Sequence, residues 1–138
     1  MKLKKYKKYH TNKNIYKTEK IRSCLIKQGL YGLKAMNKGI LTPKQVETTR
    51  RIISRITNRY AKILIQLNFE QSLTKKPLLS RMGRGSGGIY EWVSYIKKGK
   101  IIFEFFGVCN KTAKLVFKVI KKCLPIKFEL VFREINDA

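Results

Sequence analysis

Apolar residues along this chain recur with two different periods, and the changes between them mark out a small mixed fold. Leu30 to Met36 reads as a strand, and Asn37-Lys38-Gly39 as the turn that ends it. Thr42-Pro43-Lys44-Gln45 is a helix start, with Thr as N-cap, Pro at the first position and Gln where a capping box needs it. Down that helix Val46, Thr49, Ile53, Ile56 and Tyr60 recur at i, i+3, i+7, i+10 and i+14, a stripe expected to be buried. Lys44, Thr48, Arg51, Arg55 and Arg59 fall on the opposite face. Ile63 to Leu67 is a second, apolar strand.

Tyr90 to Ile96 and Ile101 to Phe106 read as two more strands, joined by Lys97-Lys98-Gly99-Lys100 as a tight hairpin. Asn110 is expected to cap a second helix reaching Lys122, with Ala113, Val116, Phe117 and Ile120 inward. Lys111, Lys114, Lys118 and Lys121 then face out. Pro125 ends the helix, and Phe128, Leu130 and Phe132 alternate with Lys127, Glu129, Val131 and Arg133 in a final strand. The order implies an α+β domain with a mostly antiparallel sheet and two helices packed on it. The domain spans residues 29–138, and residues 1–28 precede it as a basic arm.

Charge changes this picture most. The chain of 138 residues holds 32 Lys and Arg against 8 Asp and Glu, a formal +24. Its hydrophobic fraction of 43% is enough for a core, so this is not simply a disordered basic tail. Such a body repels itself when compact, and the partner is expected to supply the opposite charge. Nucleic-acid phosphates come first and an anionic membrane surface second. No apolar run approaches the roughly 20 residues that span a bilayer, and the basic start, Met1 to Lys8, is followed by no apolar signal core.

The arm, with Lys2, Lys4, Lys5, Lys7, Lys8 and Lys13, has little to bury and is expected to order only on its partner. Tyr6, Tyr9 and Tyr16 interleave stacking surface with that charge. A second cationic feature runs from Lys76 to Gly88, where four glycines fall within six residues and Arg81 and Arg84 add charge. No acid falls between Glu70 and Glu91 to neutralise them. Glycines let this backbone turn sharply and approach a charged partner closely, and guanidinium groups suit phosphate. On the first helix Glu47 is the only acid available to pair with the ridge of Arg51, Arg55 and Arg59, which favours phosphate contact there.

Catalytic chemistry is hard to find. The only histidine, His10, lies in the arm, where a general base is not held in place. Ser86 between glycines lacks a partner histidine, and no Gly-Lys-Ser or Gly-Lys-Thr makes a nucleotide loop. Cys24, Cys109 and Cys123 are odd in number and widely spaced, against zinc and against a disulfide scaffold. No cofactor, metal or small-molecule substrate is expected, and the chain does not read as an enzyme.

These residues resemble a known family. Tyr31-Gly32-Leu33-Lys34-Ala35, Gly39-Ile40-Leu41-Thr42 and Gln45 to Arg51 are similar to the bacterial large-subunit ribosomal protein numbered sixteen. Lys76-Pro77-Leu78, Arg81-Met82-Gly83-Arg84-Gly85, Trp92-Val93, Lys98-Gly99-Lys100, Phe103-Glu104, Gly107-Val108 and Lys122 to Lys127 extend the likeness over about residues 29–133. The resemblance implies a structural, non-enzymatic constituent of the large subunit, bound to its rRNA near the aminoacyl-tRNA site. It supports tRNA positioning and subunit assembly, with neighbouring ribosomal proteins as partners. The implied rRNA contacts are the arm lysines named above together with Lys34, Lys44, Arg51, Arg55, Arg59 and Lys76. The loop carrying Arg81, Met82, Gly83, Arg84, Gly85 and Ser86 is implied to reach toward tRNA and the peptidyl-transferase region. Ser86 stands where that family commonly has lysine, and Thr11 to Tyr16 replaces its Gly- and Arg-rich arm. Heavy use of Lys, Ile, Asn, Tyr and Phe, residues with A/U-rich codons, points to an organelle-encoded copy, mitochondrial ahead of plastid or bacterial. The competing readings are a cationic membrane-surface protein and an RNA-modifying enzyme; the first needs apolar residues free to enter lipid.

Overall fold

The computed structural model describes residues 8–9, 25–83 and 85–133. In chain order it runs β1 (Lys8–Tyr9), β2 (Tyr31–Ala35), β3 (Gly39–Leu41), α1 (Pro43–Ile56), β4 (Lys62–Ile65), β5 (Gln71–Lys75), β6 (Gly88–Ile96), β7 (Ile101–Phe106), α2 (Asn110–Cys123) and β8 (Phe128–Phe132). The class is α+β, as the apolar periods imply. Its strands divide into two four-stranded sheets, ordered β1-β5-β6-β3 and β4-β7-β2-β8. All pairings are antiparallel except that of β1 with β5. The expected disorder of the arm falls outside the described residues, save that Lys8 and Tyr9 lie beside Ser72 and Leu73 of β5.

β7 is the centre of the second sheet, and Ile101 to Phe105 are all fully buried. A strand covered on both faces reads as a continuous apolar run. Alternate positions of β2 (Tyr31, Leu33, Ala35) and β7 (Phe103, Phe105) join one cluster with Val46 and Ile53 of α1 and Ala113, Val116 and Ile120 of α2. The two helices pack on each other and on this sheet. On the other face the chain from Ile26 to Gly29 crosses above Gly32 and Glu104: a Cβ on Gly32 would lie 3.0 Å from Ile26 Cγ1, and one on Gly29 2.8 Å from Glu104 Cβ.

Four expectations are corrected. β6 and β7 do not form a hairpin: β6 pairs with β5 and β3, and β7 with β4 and β2. Their four-residue connection does turn tightly, with Lys100 N–H donating to Lys97 O at 3.3 Å and Gly99 at φ 90°, but it carries the chain from one sheet into the other. The real hairpin is β5–β6, and β5 was not foreseen because Gln71-Ser72-Leu73-Thr74 carries so few apolar residues. Gly39 opens a short strand, β3, instead of ending a turn. Cys109 holds the N-cap position of α2 without a side-chain capping bond, and Asn110 is already its first helical residue.

The fourth correction concerns the end of α1. The helix stops at Ile56, and Tyr60, expected in its buried stripe, is 81% exposed. Asn58 and Arg59 take left-handed φ values of 48° and 67°. Arg59 N–H donates to Ser54 O at 2.9 Å and Asn58 N–H to Arg55 O at 3.2 Å. This is a Schellman closure, for which Asn is the usual alternative to Gly. The apolar period continues for a turn after the backbone has left the helix.

Candidate nucleic-acid interface

α1 sets the first cationic surface. Its start is a complete capping box: Gln45 N–H donates to Thr42 Oγ1 at 3.3 Å, and Thr42 N–H to Gln45 Oε1 at 3.0 Å. Val46, Thr49 and Ile53 then point into the core, while Lys44, Arg51 and Arg55 are exposed. Because the Schellman turn folds the chain back, Arg59 reaches the same place as Arg55. Arg50, Arg51, Ser54, Arg55, Asn58 and Arg59 line an open recess of about 880 Å³.

Part of this charge is already matched. Arg50 grips Glu47 through both Nε (2.9 Å) and Nη2 (2.8 Å), and Arg51 Nε adds a third bond at 3.0 Å. Hydrogen bonds from Arg50, then from Arg51, hold the Glu47 carboxyl down to about 2. A depressed carboxylate contributes above its ordinary value near 4.3 and loses that contribution as pH falls toward 2. Arg50 was not singled out from the sequence, although a Glu with Arg at i+3 and i+4 is the helical spacing for such pairs. Arg55 and Arg59 take no part in any ion pair among the described residues.

The glycine-rich loop is the tip of the β5–β6 hairpin. Leu78, Leu79 and Met82 are almost wholly exposed, and Arg81, Gly85 and Ser86 are exposed too. Gly83 and Gly85 sit at φ 115° and 77°, a backbone that L side chains rarely adopt. At the base of the loop a Cβ on Gly87 would lie 2.4 Å from Lys75 O, so the return strand fits only without a side chain. Lys76 Nζ donates to Gly83 O at 2.9 Å and closes the loop across its neck, so one of its donors serves the loop itself. Arg84, with Lys2, Lys4, Lys5, Lys7 and Lys13, lies outside the described residues, and for Lys8 only the backbone is described. Lys34 is half-buried in β2, opposite Glu129 of β8 and in a different sheet from the β5–β6 hairpin.

One important residue, Glu104, has no role assigned from the sequence beyond its place in the family likeness. Glu104 is fully buried in β7 and accepts backbone N–H bonds from Lys27 (3.0 Å), Gln28 (2.9 Å) and Gly29 (2.9 Å), as well as a bond from the Gln66 amide. Burial pushes its carboxyl up, but the amides of Gln28, Lys27 and Gly29 and the Gln66 side chain outweigh that and leave it lowered. Glu104 therefore fastens the chain that leads from the arm onto the sheet, with Arg133 Nη1 adding a bond to Lys27 O at 3.2 Å. The available signal was a lone acid inside the apolar run Ile101 to Phe106.

Among the described residues no group of three or more His, Cys, Asp or Glu is placed to hold a metal, and no helix is long and apolar enough to cross a membrane. The geometry is that of a small basic α+β body presenting guanidinium groups and an exposed glycine-rich loop, a class suited to an anionic partner. The chain belongs to the ribosomal protein L16p/L10e family, whose pattern it matches over residues 1–131. It is similar to the large ribosomal subunit protein uL16 of Carsonella ruddii (strain PV), 42% identical over 128 residues that cover 93% of each chain. It is also similar to uL16 of Buchnera aphidicola subsp. Baizongia pistaciae (strain Bp), 42% identical over 99 residues, 72% of this chain and 73% of that one. The Buchnera aphidicola subsp. Cinara cedri (strain Cc) protein is 38% identical over 125 residues, 89% and 88% of the two chains.

Proposed function

We propose that the protein is a structural constituent of the large ribosomal subunit that binds its rRNA near the aminoacyl-tRNA site. The observation that carries this reading is the unmatched charge. Among the described residues, ion pairs from Arg50 and Arg51 to the Glu47 carboxylate relieve part of the formal +24. The arm of residues 1–28, Lys34, Lys44, Arg51, Arg55, Arg59 and Lys76 neutralise rRNA phosphates. The loop with Arg81, Met82, Gly83, Arg84, Gly85 and Ser86 extends toward aminoacyl-site tRNA and the peptidyl-transferase region, where its two left-handed glycines permit close backbone approach. RNA helices are met through shape, phosphates and 2′-OH groups, so base specificity is slight.

The test is binding of the full chain to bacterial large-subunit rRNA as a function of salt. With on the order of 6–10 phosphate contacts, affinity falls roughly 10³–10⁵-fold between 50 and 200 mM salt. A flat response overturns the reading. The residue bias toward A/U-rich codons supports a mitochondrial ribosome. The bacterial origin of the named relatives favours a second reading, a bacterial ribosome. Co-sedimentation with the large subunit from purified mitochondria, or from bacterial lysate, decides between them.

A further inference from the structure

We infer that the outer face of α2 is a second phosphate-contacting surface, taking the backbone of an RNA duplex laid along the helix. Lys111, Lys114, Lys118, Lys121 and Lys122 are all exposed, and the helix contains no acid. At 100° per residue they share one side, opposite buried Ala113, Val116 and Ile120. Among the described residues none of the five takes part in an ion pair.

Helix physics alone argues against this arrangement. The first turn sits at the positive end of the helix dipole, where acids stabilise; α2 has none there and carries Lys111 instead. Lys121 and Lys122 do suit the negative end. Lys114–Lys118 and Lys118–Lys122 are like charges at i, i+4, each unfavourable in the isolated helix. A helix that accepts such repulsion is matched to an external anion. Lys111 to Lys122 spans about 16 Å at about 1.5 Å per residue. In a duplex with about 3.4 Å between phosphates of one strand, that is roughly five phosphates, and somewhat more in a more compact helix.

A duplex fits better than a single strand. Single-stranded sites stack bases on exposed aromatic side chains. Here the exposed apolar residues are Leu115 and Val119, and the one aromatic of α2, Phe117, is half-buried against the core. α2 packs on α1, so the two cationic helices belong to one helical layer.

This inference rests on the rRNA-binding reading, and the experiment separates the two. The full chain and its K111Q/K114Q/K118Q/K122Q variant are titrated with a 30-base-pair RNA duplex and with bacterial large-subunit rRNA at several salt concentrations. The expected result is a log K against log salt slope shallower by about 3–4 for the variant. The pair K111Q/K114Q, which removes only two cations, loses about 2 and guards against misfolding of the larger variant. Equal, steep slopes for wild type and both variants overturn the α2 surface and leave the rRNA reading standing. A flat wild-type slope overturns that reading and the α2 surface with it. Vesicles of phosphatidylglycerol are the control arm: loss of vesicle binding with an unchanged RNA slope makes the face a membrane surface and also overturns the proposal.

Discussion

At the scale of single residues, Glu104 shows how one carboxylate positions a whole segment. Three consecutive amides, those of Lys27, Gln28 and Gly29, converge on it, and Gly29 permits the approach because any Cβ there meets Glu104 Cβ at 2.8 Å. Glu104→Gln keeps the shape and removes the charge. The expected loss is about 1.5–3 kcal/mol, since charge-assisted bonds are replaced by neutral ones around buried donors. It is read as a lower urea midpoint with unchanged slope; coincident midpoints at pH 7 refute the role. The folded carboxyl is lowered, so its contribution is complete above about 4.3 and fades as pH falls through the folded value. The variant accordingly loses less stability than wild type between about pH 5 and pH 3.

At the scale of elements, the start of α1 was legible and its end was not. Thr42 and Gln45 act through bonds between residues three apart and Pro43 through its fixed φ, which is why a linear reading finds them. Thr42→Ala is expected to cost about 1 kcal/mol, measured by thermal or urea unfolding. A change below about 0.3 kcal/mol would mean that the cap is redundant. The C-terminal end depends on Asn58 and Arg59 turning left-handed, and Asn58 was a readable signal that the apolar period overrode. The β6–β7 connection failed for another reason. A turn sequence specifies that the chain reverses, and not which strands then pair. Each of these two strands found better partners elsewhere, in different sheets.

At the scale of the whole molecule, net charge dominates. With +24 on 138 residues the free protein is pushed apart by its own surface, and salt screens that repulsion. Raising NaCl from about 50 to 500 mM shortens the Debye length from roughly 14 to 4 Å. The thermal midpoint of the isolated chain is expected to rise, by roughly 3–6 °C for each kcal/mol gained. RNA affinity falls over the same range. A midpoint that is indifferent to salt would show that the cations are already balanced within the fold.

The amino-acid order by itself determined the class, the two amphipathic helices, the central apolar strands and the cationic excess, because each follows from neighbours a few positions apart. Only tertiary structure decided that the strands form two sheets, that Arg50 and Arg59 meet in one recess, and that Glu104 holds Lys27 to Gly29. These are contacts across folded or distant segments, more than seventy positions apart for Glu104. Burial and geometry, which local periodicity does not encode, choose among the partners available.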